Sequence, residues 1–320
     1  MVNKEPTAIS AEIAKIQSSK NPPPYNEIKD FIYNKYDYHP DWNAFKAFGV
    51  YISKIFKGDF GYYYQNNAIP IQEQFSKPLK YTFLVSGIGF VFGTILGLIF
   101  GIIAGYKRGK WPDIVLNVFT ILFVAIPSFI LASILVLLIN KTSWPTQFLS
   151  PKQAGGEWEM MKTLLLPIII VTVTSFATIT YYVRNEVVEV LKSDYVLTAR
   201  AKGLRESTIF IKHVLKNISI PAVTIILPRF VFIMTGSMII EIFFGVPGTA
   251  HIFGLAVVYY EYNVIMFSVI FFSGLSLIIN IVVDVIYTLL DPRIKIASKS
   301  NFTLWKRIKN IRKRIKNSST

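Results

Sequence analysis

The sequence predicts an all-α membrane protein, and three observations lead there. Mean hydropathy is +0.44, too apolar for an ordinary soluble domain of 320 residues. The apolar excess is gathered into five runs that are apolar on every face, each matching the ~20 residues a spanning helix needs. Lys and Arg are unevenly shared among the loops between those runs.

The predicted spans are residues 81–106, 114–139, 163–183, 218–244 and 264–290. Strands of a membrane barrel would alternate in and out over ~10 residues, and these runs do not. Of the loops, 107–112 carries Lys107, Arg108 and Lys110, and 184–217 carries seven Lys or Arg. Ten follow Asp291, whereas 245–263 has none and 140–162 has three. The basic segments alternate with the poor ones, so they share one side, the cytoplasm. The expected organisation is an extracytoplasmic region (1–80), a transmembrane domain (81–291) with a cytoplasmic loop (184–217), and a basic cytoplasmic tail (292–320). That is a multi-pass protein of the cell membrane.

Residues 1–80 begin with a polar stretch that has no signal-peptide pattern. Phe45, Phe48, Tyr51, Ile52 and Ile55 have helical spacing, which predicts a small ordered cap. Export of this region without a preceding helix is mechanistically awkward: either the sequence starts at an internal Met, with an in-frame apolar span upstream, or that helix is lost or supplied separately.

Several chemistries are excluded. Cysteine is absent, which removes disulfides, thiolate metal sites and a cysteine nucleophile. The three His residues (His39, His213, His251) are far apart in the chain, so no metal site is expected. The formal charge of +15 could suggest nucleic acid. The tail, with Ile and Trp among its bases, reads more simply as a juxtamembrane segment on anionic lipid. A phosphate-binding loop is also missing, because 105–110 lacks the spacing.

Gly89, Gly93, Gly97, Gly101 and Gly105 recur every four residues, leaving a groove for a close neighbour. Packing within the chain is the simpler use; a pore or subunit interface is the other. Loop 193–221 is too polar to span and too patterned for a passive linker. Tyr195, Ala199 and Leu204, then Ile209, Ile211 and Leu215, suggest two short amphipathic helices, with Gly203 placed as a helix C-terminal glycine. The small residues Ala199, Ala201 and Gly203 would leave a shallow surface for a partner's groove. A helix resting on anionic lipid fits the pattern equally well.

Five ordered stretches resemble the permease subunits of binding-protein-dependent ABC importers, over roughly residues 45–295. Residues 195–203 match that family's Tyr-x-x-Thr-Ala-Arg-Ala-Lys-Gly string. Residues 57–61 resemble its Gly-Asp-Leu-Gly motif, and Pro127-Ser128-Phe129 its Pro-x-Phe. Glu241, Phe244, Pro247 and Gly248 match Glu-x-x-Phe-x-x-Pro-Gly. Asp284 with 291–294 resembles the end of its last helix. The pattern is closest to the B-type subunit of oligopeptide, dipeptide and nickel permeases. Departures are Arg205 after Gly-Leu, Ala250 in the Pro-Gly-x-Gly turn, and Asn263 in the acidic-Tyr-Pro element.

The resemblance implies a type I ABC importer bundle whose five spans correspond to the last five of the family's six. It implies no catalytic residue and no cofactor on this chain, with ATP and Mg held by two cytoplasmic ATP-binding subunits. Asp194, Tyr195, Thr198, Ala199, Arg200, Ala201, Lys202 and Gly203 would couple to them. The other implied partners are a homologous second permease, an extracytoplasmic solute-binding lipoprotein and a peptide. Pro247 and Gly248 would belong to an external gate.

Charged residues inside spans need a reason. Arg229, Glu241 and, with less claim, Asp284 are candidates for a water-filled pathway, together with Pro127; burial against a partner or snorkelling is the alternative. A nickel-complex importer is the nearest rival function. A secondary transporter, a membrane enzyme and a non-transporting scaffold are the others.

Overall fold

A computed structural model describes residues 5–66 and 69–290; the tail and residues 291–294 of the last motif lie outside the described residues. Apart from an isolated bridge between Tyr62 and Pro70, the regular elements described are helical. Among the described residues, four helices are long and apolar enough to cross a membrane, or five if one bent pair counts as a span.

The N-terminal region contains α1 (Thr7–Gln17), α2 (Tyr25–Tyr36) and α3 (Ala44–Ile55). Ile9 and Ile13 of α1 pack on Ile28 and Ile32 of α2, sealed by Tyr38 and Tyr64. Helix α3 buries none of its residues and leaves Phe45 and Phe48 exposed, so the expected cap has its core in α1 and α2.

The first long helix runs unbroken over Ile71–Tyr106, as α4 (Ile71–Thr82), a π turn (Phe83–Gly87) and α5 (Ile88–Tyr106). It starts ten residues ahead of the expected 81, so a boundary at 80 would cut a helix. Its first turns are amphipathic, burying Ile71 and Phe75 among polar residues, and an average over apolar runs passes over them.

An uninterrupted span over 114–139 is not what forms. Helix α6 (Trp111–Ala125) and α7 (Ser128–Ile139) meet at 106°. The cause is Pro127, which has no N–H and forces its predecessor out of helical geometry; Ile126 sits at φ −80°, ψ 124°. After two short helices, α8 (Pro151–Ala154) and α9 (Glu157–Thr163), comes α10 (Leu165–Leu191). The expected loop 184–217 therefore gives its first residues to the end of α10.

Helix α11 (Asp194–Ala201) follows. Then α12 (Glu206–Ile209), a π segment (Phe210–Leu215), α13 (Lys216–Gly236) and α14 (Met238–Phe243) form one long helix. Its start at Glu206 replaces the expected free amphipathic helix and moves the fourth span forward from 218. The chain closes with α15 (Thr249–Tyr259) and α16 (Tyr262–Leu290).

The bundle is keyed by α5 against α10. A Cβ added at Gly89, Gly93, Gly97, Gly101 or Gly105 would lie 2.6–2.8 Å from the side chains of Val171, Ser175, Ile179, Val183 and Val187 respectively. Both stripes repeat every four residues, so each glycine receives one side chain of α10. The glycine groove is thus spent on packing within the chain.

Candidate functional site

Three places hold the residues singled out from sequence. The first is α11. Its end is closed by a Schellman arrangement: Leu204 N–H donates to Ala199 O (3.2 Å) and Gly203 N–H to Arg200 O (2.9 Å). Gly203 takes φ +71°, a left-handed conformation that side chains with a Cβ resist. Val196 and Ala199 turn inward onto Val183, Val187 and Val190 of α10. Ala199 is therefore a packing residue and not part of an outer surface. Asp194, Tyr195, Thr198, Arg200, Ala201, Lys202 and Gly203 all face out, joined by exposed Leu197, Leu204, Ile211 and Leu215. Arg200 pairs with Glu206 across the turn (2.9 Å). Arg205 starts α12 without a side-chain cap.

Close by is an ion pair that sequence reading missed. Arg184 grips Asp113 with two bonds of 2.9 Å, and Asp113 also accepts Gly109 N–H at 2.8 Å. The α5–α6 turn is thereby pinned to the end of α10 that leads into α11. These partners are 71 residues apart, beyond the reach of local pattern.

The second place is the turn after α14, at the opposite end of the long helices. Glu241 is fully buried. It accepts hydrogen bonds from Thr82 Oγ1 (2.8 Å), Ser237 Oγ (2.9 Å) and Ala250 N–H (3.1 Å), while Thr249 N–H donates to Thr82 Oγ1 (2.8 Å). The carboxylate thus serves the first free amides of α15, a helix N-terminus where negative charge is favoured. It lies so close beneath Gly248 that a Cβ there would collide with it. Glu241, Pro247 and Gly248 therefore form one structural unit, and Glu241 does not line a pathway.

A second buried carboxylate works at the same end. Glu261, preceding α16, accepts Tyr64 N–H (2.8 Å) and Gln65 N–H (3.1 Å), and Asn263 Nδ2 donates to Tyr62 O (3.2 Å). Burial pushes the Glu261 carboxyl up to about 7, although both amides favour its charged form. Sequence reading placed Glu261 only in a motif element. Its amide partners lie almost two hundred residues away, so nothing local reveals the clamp on the N-terminal region.

The third place is an open cleft of about 570 Å³ bounded by α10, α13 and α16. Arg229 projects there beside Tyr182, Phe232, Thr235, Ser273 and Ser276. Its Nη2 donates to Thr178 Oγ1 (2.8 Å), and its Nε, buried, has no partner among the described residues. Neither Glu241 nor Pro127 lines this cleft; Pro127 sits at the exposed α6–α7 break. Asp284 is exposed on α16.

Against known proteins, the profile described as "Binding-protein-dependent transport system inner membrane component" matches residues 97–296. The oligopeptide transport system permease protein OppB of Mycoplasma genitalium is 36% identical over 78% of this chain, which spans 61% of that relative's length. OppB of Mycoplasma pneumoniae is 36% identical over 82% of this chain and 68% of its own. The dipeptide transport system permease protein DppB of Bacillus subtilis is 31% identical, covering 82% and 83%. Among solved structures, a chain of the MetNI methionine ABC transporter in its inward-facing crystal form superimposes with TM-score 0.51 at 18% identity. That match covers 68% of this chain and 96% of the other, a likeness of fold.

Proposed function

This chain belongs to the binding-protein-dependent transport system inner membrane components, and from that premise we propose that it is a transmembrane permease subunit of an ATP-driven importer of oligopeptides or dipeptides. The chemistry of ATP and Mg belongs to two ATP-binding subunits. A homologous second permease completes the pathway, and an external solute-binding protein delivers the peptide. The relatives described above are named for oligopeptide and dipeptide systems, which favours peptides over nickel complexes or an ion-driven carrier.

The observation that carries this reading is α11. It is short, sharply ended at Gly203, anchored inward by Val196 and Ala199, and otherwise exposed between two long helices. A motor subunit gripping its outer face would move α10 and the α12–α14 helix as rigid bodies. The Arg184–Asp113 pair would pass that movement to the α5–α6 turn. In this reading the end bearing α11 is cytoplasmic and the N-terminal region external, which the Lys and Arg counts of the loops support. On the outer side Pro247 and Gly248 belong to the external gate; on the cytoplasmic side the basic residues 292–320, outside the described residues, meet anionic lipid.

Gly203→Val tests it. A left-handed β-branched residue costs about 1–2 kcal/mol, enough to shift the end of α11 by a factor of roughly 5–30 in population. The expected result is a severalfold drop in peptide uptake by the assembled importer while ATP hydrolysis continues. Gly203→Asn, which tolerates the left-handed region, should retain more uptake. Undiminished uptake with Val would count against the coupling role.

A further inference from the structure

We infer that Arg229 is the cleft's carboxylate-binding residue, receiving the free C-terminal carboxylate of the transported peptide or an acidic side chain of it. This deepens the importer reading and rests on it. A guanidinium within a membrane span is costly unless it is paired or reached by water. Here its pairing is incomplete. Thr178, a neutral hydroxyl, takes one of its five donors, and Nε is buried without a partner.

No Asp or Glu lines the cleft, and no ion pair to Arg229 forms among the described residues. Glu186 of α10 lines an adjoining small pocket, which shares Tyr182 and Ile225 with the cleft, and does not line the cleft itself. The site therefore presents uncompensated positive charge within a space of about 570 Å³, large enough for a short peptide by the scale of ligand pockets.

The walls suit the same ligand. Tyr182, Phe232 and Phe272 offer apolar faces for side chains of varied size. Thr235, Ser273 and Ser276 offer hydroxyls for a peptide backbone. Every peptide shares its backbone, and a free C-terminal carboxylate is present whatever the sequence. One fixed cation plus tolerant walls recognises that common feature without reading side chains. Arginine's planar fork meets a carboxylate with two parallel bonds, which a lysine cannot reproduce.

The test is uptake into proteoliposomes by the complete importer with its binding protein, normalised to the amount of assembled complex. Three peptides are compared: trialanine, its C-terminal amide, and an amidated tripeptide with one Glu. Arg229→Gln should lower trialanine uptake at least about tenfold, as loss of a charged hydrogen bond predicts, and lower uptake of the trialanine amide far less. Arg229→Lys should recover part of the loss. If Arg229→Gln also lowers the Glu-containing amide, side-chain carboxylates use the site; if it does not, the terminal carboxylate alone does.

Because each variant is compared with the unaltered importer on the same peptide, capture by the binding protein cancels. Equal loss for free and amidated peptides would overturn the inference and point to a partner subunit's acid on Arg229. No loss for trialanine would overturn it as well. Failure of the unaltered complex to take up trialanine would instead remove the importer reading, and this inference with it.

Discussion

Helix α10 has two sides, and they are built in opposite ways. Toward α5 every contact is closed: five glycines each receive a side chain of α10 at distances that leave no room for a methyl group. Toward α13 and α16 the same helix borders an open cleft where Arg229 has an idle donor and Thr235, Ser273 and Ser276 line the wall. Close backbone approach maximises dispersion contact, which holds helices together where lipid removes the hydrophobic drive. Polar groups left idle in a membrane are costly and are kept where water or cargo comes. The difference separates a seam with no room for an added side chain from a face left open.

The sharpest way to break this contrast is to add bulk on each side. Gly93→Val brings its side chain against Ser175 and the backbone at Thr172 and Phe176. Overpacking of this kind costs about 1–3 kcal/mol or more, so folded protein recovered from membranes should fall steeply, as fluorescence-detected size exclusion would show. Ser276→Phe in the cleft should leave the melting temperature within a few degrees and lower uptake instead. Equal destabilisation by the two would erase the distinction.

A smaller effect is expected at the capped turn, which resembles the seam in being fully closed. Glu241→Gln turns an amide N–H₂ toward donors that now meet an oxygen, leaving a buried donor unsatisfied at a cost of about 1–3 kcal/mol. The melting temperature should drop measurably; no change would mean that the carboxylate is not needed as a cap.

The smallest shift concerns Glu261. Its carboxyl sits at about 7 when the N-terminal region is docked, against an ordinary value of 4.5. The docked state thus binds the proton more tightly. Glu261's contribution to docking is full below about 4.5 and is lost as pH rises through about 7. Protease resistance of the N-terminal region should therefore be greater at pH 5.5 than at pH 8, and Glu261→Gln should flatten that dependence. Greater resistance at pH 8 would reverse the assignment.

How far the sequence carried depended on range. The glycine stripe was readable because it repeats within one helix, but its partner stripe on α10 mixes Val, Ser and Ile and looks like any apolar face. The end of α11 was readable because Gly203 is a local signal. Which way Ala199 points was not, since eight residues hold barely two turns from which to phase a helix. Pro127 carried its warning in plain view, yet hydropathy averages over a broken backbone as readily as over a straight one. Glu241 looked like a pathway residue because an acid in an apolar run is expensive. The donors that meet the cost, Thr82 and the α15 amides, are supplied only by the fold. Arg229 looked the same in sequence, and the fold left it incompletely paired.

The central claim is that α11 is the handle by which a separate motor moves this bundle. The absence of native cysteine lets single cysteines be placed without altering the background. Cysteines introduced at Ala201 and Thr198, on the outer face, should crosslink to an ATP-hydrolysing subunit in membranes of the intact importer, while one at the buried Val196 should not. Crosslinking to lipid-facing proteins alone, or labelling of Ala201→Cys by a membrane-impermeant reagent added outside intact cells, would contradict the account.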